Sequence, residues 1–314
     1  MNNKDFQNGL IVGLASKQNN NSALTEEFIH EQLAEFKNQY GIGDTSFKGL
    51  VNGYFTWLGN MLQGDMGTSF KYEKPVAEVI GDNMWVSFAI AVIATILQFA
   101  IAIPLGITSA THQYSKRDYA VTVFTMIGIA LPTYFFAAII VKVFSVELGW
   151  FPSAGLISAG ETYTKDFAGF MAKLLDMAHH LVLPIACTVI LSLGGLMRYT
   201  RTNTLEVLSA DYIRTARAKG LPENQVIYKH AFRNTLIPTV TILGGSLPGL
   251  FSGALITETL FGIPGIGYAS YHSMVSGDIP FSMFYLTFIA VLTLLGNLIT
   301  DVLYAVVDPR VRVS

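Results

Sequence analysis

Five apolar segments, each long enough as a helix to approach the thickness of a lipid bilayer, divide this sequence. A helix needs about 20 mainly apolar residues to cross a membrane. Only 13% of the 314 residues are charged and 51% are hydrophobic, whereas soluble domains carry about 25% charged residues. The pattern predicts an all-α membrane protein with five transmembrane helices, at roughly Asn83–Thr108, Tyr119–Val146, Leu181–Met197, Leu236–Thr257 and Phe281–Val307.

The arginines lie on alternate loops and near the C-terminus. Loops rich in arginine and lysine usually face the cytoplasm, so we expect these loops and the C-terminus to be cytoplasmic. The complementary loops, roughly Glu147–His180 and Glu258–Pro280, contain no arginine and are expected outside. The arginines are Arg117, Arg198, Arg201, Arg214, Arg217, Arg233, Arg310 and Arg312.

This orientation predicts two regions: an external N-terminal segment, 1–82, and a transmembrane domain, 83–314, with a cytoplasmic loop at 198–234. The external segment has helical spacing at Ala23–Tyr40, and a second apolar stretch follows at Val51–Leu62. The first residues do not have the pattern of a signal peptide. Either the sequence begins after a missing first membrane helix, the explanation we prefer, or the segment crosses the membrane by an unusual route.

Catalytic signatures are absent from the sequence. It contains no Walker-type phosphate loop, no zinc-binding H-E-x-x-H pair and no C-x-x-C. Adjacent His179 and His180 point about 100° apart on a helix and make a poor metal pair. The net charge of −2 gives no reason to expect a nucleic-acid partner. We expect neither enzymatic activity nor a cofactor in this chain.

Few ionisable residues fall inside the predicted spans. Lys142 lies near the outer end of the second span and Asp301 in the inner part of the last. Both are better explained by interfacial or packing roles than by an ion pathway. Ion-coupled carriers usually need more intramembrane carboxylates. The sequence therefore predicts that the energy for transport enters through another polypeptide.

The loop 198–234 is where that energy could enter. We expect a helix from Leu205 to Gly220, a turn at Leu221-Pro222, and a second helix from about Glu223 to Asn234. One face of the first helix is expected to carry Leu205, Leu208, Tyr212, Ala216 and Lys219. A basic linker near anionic lipid head groups is the alternative. The small residues Ala216, Ala218 and Gly220 favour a surface that a partner approaches closely.

At these residues the sequence resembles the permease subunits of peptide-type ABC importers, the branch that includes dipeptide, oligopeptide and nickel systems. The run Tyr212-Ile-Arg-Thr-Ala-Arg-Ala-Lys-Gly-Leu221 is similar to the cytoplasmic EAA loop of that family. Arg214-Thr215-Ala216 stand where the broad importer pattern has Glu-Ala-Ala, a difference shared with the peptide branch. The resemblance implies that an ATPase subunit docks on this loop, through Tyr212, Arg214, Thr215, Ala216, Gly220 and Leu221.

Further motifs extend the resemblance over roughly residues 24–314. They are Trp57–Phe70 with Lys74-Pro75-Val76, Leu148–Gly155, the glycine-rich turn within Gly253–Gly267, and Asp308-Pro309-Arg310. The family has six helices in a type I ABC importer permease fold, and this chain aligns from the second helix onward. By this resemblance, an external binding protein is expected to contact the turn through Phe261, Gly262, Pro264, Gly265 and Gly267.

The resemblance also implies the partners. They are a second permease subunit forming a heterodimer, two ATPase subunits that bind ATP, and an extracellular substrate-binding protein, in a bacterial or archaeal cell membrane. The implied function is ATP-driven import of dipeptides or oligopeptides, with nickel as another cargo of the branch. The alternative is a stand-alone channel or ion-coupled carrier. Copurifying ATPases and a second permease would favour the importer.

Overall fold

The computed structural model describes residues 46–307. Side chains at 50, 233–234, 236–241, 247–248 and 303–307 lie outside this description. The described part contains no β-strand beyond one bridge between Thr68 and Pro75, so the predicted all-α class is confirmed. The helices are α1 Phe47–Leu62, α2 Val76–Thr111, α3 Lys116–Ala130, α4 Thr133–Ile140, α5 Phe167–Ser209, α6 Asp211–Ala218, α7 Glu223–Gln225, α8 Phe232–Ser252, α9 Leu255–Leu260, α10 Ile266–Val275 and α11 Ile279–Val307.

Two wider, π-helical segments adjoin these helices in the described part of the chain. The segment Val141–Glu147 extends α4, and Val226–Ala231 joins α7 to α8. The N-terminal predictions for 1–45 and the motif Asp308-Pro309-Arg310 lie outside the described residues. The expectation of a missing first helix therefore stays a prediction.

Three described helices are long and apolar enough to cross a membrane. They are Val76–Thr111, Phe167–Ser209 and Ile279–Val302. A fourth crossing results only if the bent pair Lys116–Ala130 and Thr133–Glu147 counts as one span. The predicted span Leu236–Thr257 falls on α8, which ends at Ser252, and on the first residues of α9. The side chains of α8 are described only in part, so the total of five stays a prediction.

The second predicted span is sharply bent. Its two helices meet at 108°, because Pro132 lacks the N–H that would continue the helix. Leu131 before it takes an extended conformation, with ψ 126°, as expected for a residue that precedes proline. The predicted span Tyr119–Val146 is therefore two helices that meet at Leu131 and Pro132.

One compact unit consists of 46–82 with 269–288. Ser46 caps α1 by accepting a hydrogen bond from the Gly49 N–H at 3.1 Å. Buried Asp278 accepts hydrogen bonds from the Ser69 hydroxyl and, at 3.3 Å each, from the N–H groups of Lys71 and Phe281. This carboxylate ties the turn before α2 to the start of α11. The predicted boundary between an external segment, 1–82, and a membrane domain, 83–314, stays a prediction.

The second unit, 83–268 with 289–307, contains the bent pair, α5 and the helices that follow it up to α9. Two apolar clusters form along α5. One packs Leu181, Leu183 and Cys187 against buried residues of α2 and α4 and against Phe261 and Ile263. The other packs Val189, Leu193, Leu196 and Met197 against Ala94 and Ala102 of α2. Helix α5 is therefore the central element around which this unit is built.

Candidate functional site

The first candidate is a polar hairpin, defined here as residues 211–231. Helix α5 ends at Ser209, and Ala210 is extended, with ψ 148°. Asp211 then starts α6, where an acidic side chain favours a helix N-terminus. The turn back passes through Gly220, whose φ of +76° lies in the left-handed region that side chains disfavour. Pro222 precedes α7 and the π-helical turn that leads into α8.

The hairpin has a small hydrophobic core of its own. Ile213 and Ala216 from α6 are buried against Val226 and Ala231 of the π-helical segment that follows the turn. Half-buried Val207, Leu208 and Leu221 pack around them. The hairpin is therefore a packed element and not a solvated linker.

The predicted continuous helix from Leu205 to Gly220 is wrong at Ala210. The extended residue there changes the helical register, so the face expected from Leu205 onward does not continue. Tyr212 is 45% exposed, whereas Ile213 is fully buried. Ala216 is buried as well, so its small size serves the inner packing of the hairpin and not the close approach of a partner.

The outer surface of the hairpin carries the remaining predicted residues. Tyr212, Arg214, Thr215 and Gly220 are exposed, and Leu221 is half-buried against the core. Arg217 donates two hydrogen bonds to Glu223, at 3.2 and 2.7 Å. This bond lowers the pKa of Glu223 and raises that of Arg217. The pair closes the turn across Gly220. Arg214, also on the outer surface, donates a hydrogen bond of 3.4 Å to Asp211.

The second candidate is the glycine-rich turn, residues 253–268, which joins α8 to α10. Phe261 and Ile263 are buried in the cluster around Leu181 and Cys187. The carbonyl of Phe261 also accepts a hydrogen bond of 2.8 Å from the N–H of Gly155. The turn is thus attached to the loop that follows α4 and to the core beneath it.

The side chain of Glu258 accepts three hydrogen bonds within this turn and from α2. It is only 1% exposed. One carboxylate oxygen accepts hydrogen bonds from the Ser87 hydroxyl at 2.7 Å and the Ala254 N–H at 2.9 Å, and the other accepts from the Tyr268 N–H at 3.0 Å. Ser87 in turn accepts from the Ile266 N–H at 2.8 Å. One buried carboxylate therefore links α2, α9 and the start of α10.

The glycines of the turn make room for this carboxylate. A Cβ on Gly265 would lie 2.3 Å from Glu258 Oε2 and 2.5 Å from Ser87 Oγ, and one on Gly267 would lie 2.9 Å from the same Oε2. Contacts shorter than 3.0 Å essentially never occur at real Cβ atoms. Any larger residue at 265 must therefore displace the carboxylate or the backbone.

The structure divides the residues predicted to meet a binding protein. Phe261, Gly265 and Gly267 are buried and shape the turn, whereas Gly262 and Pro264 are exposed. Burial leaves only the last two available for contact in this structure. The sequence reasoning missed Glu258, because it searched for charges within the spans and this residue falls just after one. The available signal was a single acidic residue beside four closely spaced glycines.

The described residues form no metal-binding group. Within 46–307, no three His, Cys, Asp or Glu side chains lie together as ligands would. His179 contacts the Trp150 carbonyl at 2.9 Å, and His180 contacts the Asp176 carbonyl at 3.0 Å. Both histidines therefore use a ring nitrogen to contact a backbone carbonyl.

The comparison with protein families decides the identity. Residues 102–313, about two thirds of the sequence, match the family described as "Binding-protein-dependent transport system inner membrane component". The chain belongs to this family. It is therefore a multi-pass membrane component of a transport system, and the predicted permease assignment is confirmed.

Curated relatives in this family are similar over nearly their whole length. The chain is 42% identical to the oligopeptide transport system permease protein AppB of Bacillus subtilis, over 88% of this chain and 84% of that protein. It is 33% identical to OppB of Haemophilus influenzae, an oligopeptide transport system permease protein, with coverage of 90% and 86%. For the dipeptide transport system permease protein DppB of Alkalihalophilus pseudofirmus, the identity is 32%, with coverage of 92% and 88%.

A solved structure of the MetNI methionine ABC transporter, in an inward-facing conformation, is similar in fold. Its matching chain has a TM-score of 0.57 at 16% identity, and the match covers 74% of this permease and 98% of that chain. The predicted permease fold is confirmed by this likeness.

Proposed function

We propose that this permease subunit forms half of the path by which an ATP-driven importer carries dipeptides or oligopeptides across the cell membrane. The cargo follows from the names of the relatives, which are 32–42% identical over most of the chain. The partners in this proposal are a second permease subunit, two ATPase subunits and an external substrate-binding protein.

The polar hairpin is the proposed coupling element for the ATPase. The observation that carries this role is its own buried core under an exposed surface bearing Tyr212, Arg214 and Thr215. A packed element transmits displacement, whereas a solvated linker absorbs it. The proposal requires the hairpin and the C-terminus to be cytoplasmic.

The flanking helices suit this role. Helix α5 has 43 residues, which corresponds to about 65 Å at 1.5 Å per residue. The hydrocarbon core of a bilayer is only about 30 Å thick. Helix α5 therefore extends beyond the membrane, and its end at Ser209 can hold the hairpin in the aqueous phase.

In the proposed mechanism, closure of the ATPase subunits on ATP displaces the hairpin. Because α5 precedes the hairpin and α8 follows it in the chain, displacement of the hairpin tilts both helices. This tilt shifts the permease between inward-open and outward-open states. The glycine-rich turn is the proposed external end of the path, where Gly262 and Pro264 would meet the binding protein. The buried bonds of Glu258 keep that turn attached to α2 during the movement.

Substitution of Gly220 tests the coupling role. Replacement by valine places a branched side chain at φ +76°, where only glycine, and to a lesser extent asparagine, is readily tolerated. We expect Gly220→Val to abolish peptide uptake by intact cells while the permease stays in the membrane at its normal level. Gly220→Asn is the matched control, since it keeps the left-handed turn and should retain most uptake. Normal uptake by Gly220→Val at normal levels would refute the coupling role.

The alternative hypothesis, a stand-alone channel or ion-coupled carrier, is tested by copurification. We expect an affinity-tagged permease to bring down a second permease and a nucleotide-hydrolysing subunit. A crosslinker anchored at Thr215→Cys should attach to the latter. Peptide uptake that persists without any ATPase partner would favour the carrier.

A further inference from the structure

A cavity of about 510 Å³ lies between α3 and α5. Its size falls within the range of pockets that hold small amphiphilic ligands. Its walls are mainly apolar, with two arginines along one side. The lining residues are Val121, Thr122, Thr125, Met126, Ile129 and Ala130 of α3, and Met197, Arg198 and Arg201 of α5.

The cavity lies next to a tight crossing of the two helices. A Cβ on Gly194 would lie 2.6 Å from Ile129 Cγ1 and 2.8 Å from the Thr125 carbonyl oxygen, so α3 and α5 touch there with no space between them. Arg198 follows Gly194 by one helical turn along α5. Buried Thr125 donates to the Val121 carbonyl at 2.7 Å, and its hydroxyl adds little polarity to the wall.

The two arginines differ in their charge balance. Arg201 is neutralised by the buried carboxylate of Asp118, with Nε to Oδ1 at 2.9 Å and Nη2 to Oδ2 at 3.0 Å. Asp118 also accepts from the Ser109 hydroxyl and the Tyr114 N–H. Arg198 is exposed, and no described carboxylate lies within 4 Å of its charged group. The cavity rim therefore carries one uncompensated positive charge.

The outer face of α3 beside the cavity is apolar as well. Val123, Phe124 and Ile127 are exposed, and in a membrane protein such a face meets lipid tails or another helix. A protein partner would have to bring a carboxylate to Arg198. A lipid phosphate supplies the same charge at the level of the head groups, where water still reaches it.

We propose that this cavity binds an anionic phospholipid, with the phosphate at Arg198 and part of an acyl chain between α3 and α5. A guanidinium pairs well with phosphate oxygens, and the apolar walls suit a hydrocarbon chain. Arginine-rich loops lie on the side of the membrane where anionic lipids accumulate. The bound lipid would fill the gap beside the crossing at Gly194 and steady α3 against α5.

The test uses the whole transporter, purified in mild detergent, and its thermal unfolding with added lipid. A ligand that binds only the folded state raises the melting temperature. We expect phosphatidylglycerol to raise Tm by about 3 °C, and phosphatidylcholine or inorganic phosphate to have no effect. Arg198→Gln should lose this shift, and Arg198→Lys should retain part of it.

Arg117→Gln is the matched control, since Arg117 is exposed near the start of α3 but does not line the cavity. It should keep the full phosphatidylglycerol shift. Native mass spectrometry gives a second readout that does not depend on unfolding, and Arg198→Gln should retain less copurified phosphatidylglycerol than Arg117→Gln. Three results would overturn the proposal. They are an equal phosphatidylglycerol-induced rise in Tm in Arg198→Gln, an equal rise in Tm with phosphatidylcholine in the unmodified transporter, and loss of the phosphatidylglycerol-induced rise when a tripeptide is added. Peptide transport itself can proceed whichever result is obtained.

Discussion

At the scale of single residues, the glycine-rich turn depends on one carboxylate. Glu258 accepts three hydrogen bonds inside a buried site. Glutamine keeps the shape but replaces one accepting oxygen by an NH₂ group, which then faces a donor. An unmet buried donor costs about 1–3 kcal/mol, so we predict that Glu258→Gln lowers the Tm of the purified transporter.

Glu147→Gln is the control for this change. Glu147 is exposed, and its Oε1 lies 3.8 Å from Nζ of exposed Lys142. An exposed ion pair of this kind contributes about 0–1 kcal/mol to the free energy of unfolding. The Tm of Glu147→Gln should stay near that of the unmodified transporter. Equal stability of the two variants would show that the bonds to Glu258 contribute nothing measurable.

Gly265 gives a steric test of the same site. Because a Cβ there would lie 2.3 Å from Glu258 Oε2, we predict that Gly265→Ala displaces the carboxylate and lowers both Tm and peptide uptake. Crowding of a packed interior typically costs about 1–3 kcal/mol. Gly195→Ala is the matched control, since a Cβ on this glycine meets nothing within 4 Å. Unchanged Tm and uptake in Gly265→Ala would mean that the turn adjusts freely.

Residue-level prediction from the sequence succeeded where local chemistry decides and failed where tertiary contacts decide. The turn at Gly220 follows from the Lys-Gly-Leu-Pro run, because glycine supplies the positive φ and proline starts the next helix. The network of Glu258 joins it to Ser87, 171 residues away in the sequence. No spacing rule connects two such positions, so this site became visible only in the folded chain.

At the scale of secondary-structure elements, apolar periodicity found the helices but not their breaks. The last span was predicted within two residues of α11. Helix α5 is much longer than the predicted Leu181–Met197, because its polar ends continue the same hydrogen-bonding pattern outside the apolar stretch. The break at Ala210 carries no proline or glycine, and it moved Ile213 into the core in place of Tyr212.

The burial of Ile213 and the exposure of Tyr212 lead to a prediction for the polar hairpin. Ile213→Ala removes a fully buried side chain from the small core, at a cost of about 2–5 kcal/mol. It should make the hairpin sensitive to trypsin at Arg214 and Arg217. Tyr212→Ala removes an exposed side chain, so trypsin resistance should stay normal while ATPase activity becomes uncoupled from peptide. The proposed division of roles fails if the two variants behave alike in both assays.

At the scale of the whole molecule, the proposal requires the polar hairpin and the glycine-rich turn to lie on opposite sides of the membrane. One span, α5, separates the loop containing Glu161 from the polar hairpin. Glu161 and Lys219 are both exposed, and native Cys187 is fully buried. New cysteines at these positions can therefore be labelled against a low background.

We predict that a membrane-impermeant maleimide labels Glu161→Cys in intact cells, and labels Lys219→Cys only after the membrane is opened. The physical reason is the cost of moving an arginine-bearing loop across the bilayer, which keeps such loops cytoplasmic. Cys187 alone should stay unlabelled in both conditions. The proposed ATPase subunits would lie on the cytoplasmic side, so labelling of Lys219→Cys from outside would place the hairpin where no ATPase subunit could bind it. That result would remove the coupling mechanism while leaving the family assignment and the buried network of Glu258 untouched.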